Sequence, residues 1–172
     1  MTNKLQVKLK IHHYRGIGPN LKIYLNNQLL IDYNNICVNE HIIEIPLENL
    51  KEINYFFIEH HGKNPNNALY EHHRTIADIA IEIEEIRFDN LLLDKNIMFD
   101  QFFFPQWKYD DRAPSRMTMN CYLGYNGIWQ LIFPKNYTNW ILEQIESNFF
   151  TSDTNKISVA TLDLEEFKKD FF

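Results

Sequence analysis

Ala77-Asp78-Ile79-Ala80-Ile81-Glu82-Ile83-Glu84-Glu85-Ile86-Arg87-Phe88 decides the fold. Ile79, Ile81 and Ile83 alternate with Asp78, Ala80, Glu82 and Glu84, the period of a strand with one buried face. The phase then slips, because Ile86 and Phe88 are even-numbered. An extra residue near Glu84-Glu85, a β-bulge, lets one long strand bend while its apolar side chains keep facing the core. Asp89-Asn90 reads as a two-residue turn, and Leu91-Leu92-Leu93 returns as the partner strand. Long bent strands of this kind imply an all-β chain, an antiparallel β-sandwich.

The sequence before this stretch repeats the pattern. Leu5, Val7, Leu9 and Ile11 alternate with Gln6, Lys8, Lys10 and His12, and Gly16-Ile17-Gly18-Pro19-Asn20 ends that strand. Leu21 to Leu25 and Gln28 to Asp32 form a hairpin about Asn26-Asn27, since Asn tolerates the positive φ that such a turn demands. His41 to Leu47 is a strand whose Pro46 marks an edge or an end. Asn54 to His61 is nearly all apolar, which implies cover on both faces. Asn64 to Asn67 is a turn cluster, and Ala68 to Thr75 is a loop or a short helical turn.

Beyond the organising strand the pattern loosens. Asp94 to Ser115 is the least regular region and holds Pro105, Pro114 and the aromatics Phe99, Phe102, Phe103, Phe104, Trp107 and Tyr109. A loop this aromatic packs against its own sheet or another chain. Met117 to Tyr122 and Ile128 to Phe133 are expected to pair around Asn126-Gly127. From Thr138, a potential cap, Ile141, Leu142, Ile145 and Phe149 share a helical face. Thr151 to Asn155 is a linker, and Asp163-Leu164-Glu165-Glu166 has capping-box spacing before a short helix through Phe167 and Phe171. Residues 1–135 are thus expected to form the β-sandwich domain, and 136–172 a helical appendage packing on the sandwich or on a partner.

Composition narrows the function. The 172 residues suffice for one domain with a core of its own. The bias towards Ile, Asn, Lys, Phe and Tyr is what an AT-rich coding sequence produces. A net charge of −6 argues against nucleic-acid binding, leaving only a local basic patch at Lys4, Lys8, Lys10 and Arg15. Cys37 and Cys121 lack CxxC spacing and read as core thiols in a reducing compartment, with a disulfide as the alternative. The start of the chain shows no secretory signal, and no apolar run reaches the length of a membrane helix. The expectation is a protein with no membrane partner, in a virion or in host cytoplasm.

Chemistry-bearing residues are scattered. Glu59-His60-His61 and Glu71-His72-His73 could converge on zinc, but neighbours on a strand face opposite ways, so solvent-facing histidines are the simpler account. Asp78, Glu82, Glu84 and Glu85, with Asp32, Asp89, Asp94, Asp110 and Asp111, offer calcium-type oxygens without EF-hand spacing; a solvated strand face is again simpler. No GxSxG, Walker loop, GxGxxG or HExxH occurs, so the expectation is not an enzyme, with no catalytic residue and no metal ligand to name. Trp129 belongs in the core, whereas Trp107 and Tyr109 are candidates for a partner surface.

Leu21 to Leu30, Phe57-Ile58-Glu59-His60-His61-Gly62-Lys63 and Asp78 to Ile83 together resemble small jelly-roll domains related to calcium-dependent xylan-binding modules, of a type also seen in tailed-phage proteins. The resemblance covers residues 5 to 95. It implies a jelly-roll-like β-sandwich, here with one or two short C-terminal helices, that binds a partner without catalysis. The calcium loop has no counterpart at matching positions, so no ligand residue carries over. Two functions follow. The first is a structural or adaptor protein of a larger assembly such as a phage virion, a homo- or hetero-oligomer with protein partners. It would dock through Phe102, Phe103, Phe104, Trp107, Tyr109, Phe167 and Phe171. The second is a carbohydrate-binding module, with no cofactor or with calcium.

Overall fold

Two antiparallel sheets face each other across a single apolar core in the computed structural model, which describes residues 3–71, 74–106, 116–118 and 120–150. The first sheet runs β11 (Tyr122–Leu123), β8 (Ala80–Phe88), β1 (Lys4–His12) and β4 (Glu40–Pro46), with β9 (Leu91–Leu92) also paired to β8. The second runs β10 (Phe102–Pro105), β12 (Gly127–Pro134), β5 (Ile53–His61), β2 (Asn20–Leu25) and β3 (Gln28–Tyr33). A small hairpin of β6 (Leu69–Glu71) and β7 (Arg74–Ala77) stands apart, and two helices complete the described chain: α1 (Lys95–Phe99) and α2 (Tyr137–Phe150).

The bulge lies where the phase slip puts it. Lys8 pairs with Glu85 and Leu9 with Ile83, so Glu84 is the extra residue on β8. Ile81, Ile83, Ile86 and Phe88 all stay buried across it. Asp89-Asn90 closes the hairpin to β9. Asn26 and Asn27 both adopt positive φ, 50° and 69°, between the paired Leu25 and Gln28. Pro46 lies on β4, an edge of its sheet.

Opposed inner faces meet in Leu5, Leu9, Leu21, Ile23, Phe56, Ile58, Phe88, Trp129 and Phe133, all essentially without solvent contact. Buried apolar side chains of this size each contribute about 1.5–3 kcal/mol. β5 is flanked by β12 and β2 and is covered on both faces, as its continuous apolar run implies. Phe57 turns to the outer face and joins Tyr24 and Ile128 in a second small cluster. Buried there, the Tyr24 hydroxyl donates to Glu59 Oε2 at 2.9 Å.

Three expectations about strands and turns are corrected. The aromatic stretch is not an irregular loop at its start: Asp94 caps α1 through Asn96 N–H, Ile97 and Met98 are buried, and Phe102–Pro105 forms β10 against β12. Tyr122 and Ile128 do not belong to one hairpin either. β11 pairs with β8 in the first sheet, while β12 sits in the second, so the segment between them crosses from sheet to sheet. Gly127 is therefore not a turn residue. It opens β12, where a Cβ would lie 2.5 Å from Phe104 O and 2.8 Å from the Phe103 ring. Third, Ala68 to Thr75 belongs largely to the β6–β7 hairpin, preceded by a 3₁₀ turn at Pro65–Asn67 that Asn64 caps.

α2 begins at Tyr137, one residue before the expected cap at Thr138. Asn136 supplies the terminal contact instead, Asn139 N–H reaching its Oδ1 at 3.5 Å. Tyr137 and Ile141 enter the main core, and Leu142 stays exposed. The expected second helix with Phe167 and Phe171 lies outside the described residues, as do Trp107, Tyr109, His72 and His73.

Candidate functional site

Register places one set of strand ends together. His12 pairs with Ala80, Leu123 with Ile81, and Gly127 with His60. The loops after β5, before β8 and between β11 and β12 therefore share one end of the sandwich. Gly62, at φ 81°, turns the chain out of β5 and presents Lys63 to that end.

Lys63 ties the loops together. Its backbone N–H donates to Asn126 Oδ1 and its carbonyl accepts from Asn126 Nδ2, both at 2.9 Å. Its ammonium donates to Asp78 Oδ1 and to the Gly124 carbonyl. The Lys63 and Asp78 side chains are each only 11% exposed. Ile79 N–H adds a 2.7 Å bond to Asp78 Oδ1, and the Tyr122 hydroxyl lies 3.4 Å from Asp78 Oδ2. Lys63 Nζ stands 5.7 Å from the centre of the Tyr125 ring, within cation–π range. Tyr122 and Tyr125 are 39% and 47% exposed, so two aromatic rings border a nearly buried ion pair.

Two histidines support this end, His60 from within and His12 from the outer face of β1. His60 is fully buried on the inner face, and its Nδ1–H donates to the Leu123 carbonyl at 2.8 Å. Burial pushes its pKa down to about 4, Lys63 and His61 push the same way, and backbone hydrogen bonding with Leu123 and Tyr125 opposes them. His12 stacks edge-on against Tyr122, ring centres 5.3 Å apart, and its Nε2 lies 3.3 Å from Glu82 Oε2.

The carboxylates of the organising stretch separate into two kinds. Glu82 meets Lys10 and His12, Glu84 meets Lys8 at 3.0 Å, and Glu85 meets Arg87. Burial pushes the Glu82 carboxyl up, but bonds from His12 and Lys10 outweigh it and hold it below the ordinary range. Lys4, Lys8 and Lys10 are matched by Glu44, by Glu40 and Glu84, and by Glu82. The three lysines of the basic patch thus form an ion-paired strand face, while Arg15 lies beyond the strand, over the Tyr14 ring. Asp78 is the exception, joined across loops to Lys63. Among the described residues no three His, Cys, Asp or Glu side chains converge as a metal site.

The expected docking residues divide. Phe103 has no solvent exposure and pairs opposite Trp129 inside the sandwich, so its side chain is spent on the core. Phe102 and Phe104 stand half-buried on the outer face, with Arg116 4.9 Å over the Phe102 ring. The thiols are not both core residues: Cys37 is exposed and Cys121 half-buried, and both are free. Burial raises the Cys121 thiol to about 11, which leaves it protonated and inert at neutral pH. Nothing local in the sequence marks Lys63. Gly62-Lys63 follows a strand, but the partners of Lys63, Asp78 and Gly124, are 15 and 61 residues away.

No protein-family model matches the chain, and no curated protein matches it. Among solved structures, vCBM60 is similar, in a selenomethionine form whose description concerns circular permutation between two families of calcium-dependent carbohydrate-binding modules. The TM-score is 0.50 at 6% identity, over 75% of this chain and 89% of that one. A second structure, vCBM60 in complex with galactobiose, gives a TM-score of 0.46 at 6% identity over 74% and 95%. The β-sandwich anticipated from the sequence is therefore a fold that the chain shares with the first of these structures.

Proposed function

We propose that the chain is a non-catalytic carbohydrate-binding module whose ligand surface is the loop end around Tyr122, Tyr125, Asp78 and Lys63. The observation that carries this reading is the pair of exposed tyrosine rings bordering a pre-organised Asp78–Lys63 pair. A sugar ring presents an apolar C–H face and a rim of hydroxyls. Ring faces take the first, and a few fixed polar groups orient the second. The fold neighbour's description as a carbohydrate-binding module supports this class of ligand.

That neighbour is described as calcium-dependent, which brings calcium into question here. The loop-end donors do not fit it, because Asp78 Oδ1 and the Gly124 carbonyl already accept from the Lys63 ammonium. The assembly-subunit reading keeps Phe102 and Phe104 on the outer sheet face but loses Phe103 to the core. The fold likeness favours the carbohydrate reading over it.

Native affinity electrophoresis through gels containing xylan, galactan or other soluble polysaccharides tests the proposal. At least one polysaccharide should retard the chain, and Tyr125→Ala should weaken that retention by about tenfold, a loss of about 1.4 kcal/mol. Retention by none of them, or retention untouched by the substitution, overturns it.

A further inference from the structure

The loop end carries its own cation. Asp78 Oδ1, the Gly124 carbonyl and the Tyr125 ring face make an electronegative nest, built from two separate loops, and Lys63 Nζ reaches in from a third to fill it. The side chain reaches there because Asn126 fixes the Lys63 main chain on both sides of its Cα. Calcium takes about six to eight oxygens at about 2.3–2.6 Å. A calcium ion using Asp78 Oδ1 and Gly124 O would sit against the ammonium, two cations sharing one carboxylate with little solvent between them. The two occupants exclude each other.

We infer that Lys63 is the resident cation of this surface, so that the loop end forms and binds its ligand without calcium. The inference deepens the carbohydrate reading of the same site, yet its geometry stands without any glycan. Lys63 is a positioning residue in this account. Its charge holds Asp78 and Tyr125 in place, a task that a divalent ion would otherwise perform by drawing the same oxygens together.

Thermal unfolding of the full chain, in excess EDTA and in millimolar calcium, is the direct test. The melting temperature should be the same in both. Lys63→Met leaves the Asp78 carboxylate without its counter-ion; its melting temperature should fall by several degrees and be partly restored by calcium, which can now enter the nest. A calcium-dependent rise in the unsubstituted chain that disappears in Asp78→Asn overturns the inference, and this arm needs no Lys63 variant to fold. A Lys63→Met protein as stable as the parent and unmoved by calcium overturns it as well. Polysaccharide gels run with EDTA read the two ideas apart. Retention abolished by EDTA keeps the carbohydrate reading and sinks the built-in cation. Absence of retention under all conditions sinks the carbohydrate reading, while equal melting temperatures still uphold Lys63 as the cation.

Discussion

The two ends of the sandwich are closed by opposite means. At the far end, Tyr137 and Trp140 of α2 lie against Phe88, which also packs edge-on against Phe133 at 4.9 Å. A hydrogen bond from the Tyr137 hydroxyl to Asp89 Oδ2 at 2.8 Å helps to fix the helix. At the loop end the fastening is polar: Lys63 to Asp78 and Gly124, Asn126 to Lys63, His60 to Leu123. Apolar closure hides its aromatics, whereas hydrogen-bonded closure leaves Tyr122 and Tyr125 in solvent. Rings left at the surface on a fixed frame are what a ligand can use. The helix-capped end stabilises the fold, and the loop end presents a surface.

Substitutions that break this contrast should sort by end. Phe88→Ala empties the centre of the apolar cap and should cost about 3–5 kcal/mol, measured by chemical denaturation, with ligand binding intact in whatever remains folded. A cost below about 1 kcal/mol would mean that α2 does not close that end.

Acid should loosen the loop end. His60 titrates at about 4 in the fold against an ordinary 6.5. Between those values the unfolded chain binds a proton that the native chain does not, so stability falls as pH drops from 6.5 to 4 and levels off below. The window corresponds to about 3 kcal/mol. His60→Gln should flatten that part of the stability–pH profile; a profile unchanged by the substitution would remove His60 as its source.

Tyr137→Phe removes only the hydroxyl tie and should cost about 1 kcal/mol, a fall in Tm of about 2–4 °C. Tyr125→Ala should be the mildest of the series for stability, within about 0.5 kcal/mol, while affecting binding most. If it unfolds the chain, the loop end is part of the core and the contrast fails.

Much of the fold was legible because strand periodicity is local. The phase slip at Glu84-Glu85 became a bulge with Glu84 unopposed, and Asn26-Asn27 became a left-handed turn. What the sequence misplaced depends on distant pairing. Asn126-Gly127 carries a turn signature, yet Gly127 is glycine because Phe103 and Phe104 crowd its Cα, and Asn126 is there to grip Lys63. Asp78 belongs to a run of carboxylates that looks uniform along the chain. Only the fold shows that Glu82, Glu84 and Glu85 meet cations on or beside their own sheet while Asp78 reaches across loops. The aromatic stretch drew attention through composition, but alternation in β10 sends Phe103 inward and leaves Phe102 and Phe104 outside.

The most direct test of the loop end as ligand surface is a side-by-side measurement of polysaccharide affinity for Tyr125→Ala and Phe104→Ala. Each variant should first be shown to keep the parent's circular dichroism. Tyr125→Ala should weaken binding by about tenfold or more, and Phe104→Ala should bind like the parent. Binding lost in Phe104→Ala and retained in Tyr125→Ala would place the surface on the outer face of the second sheet and contradict it.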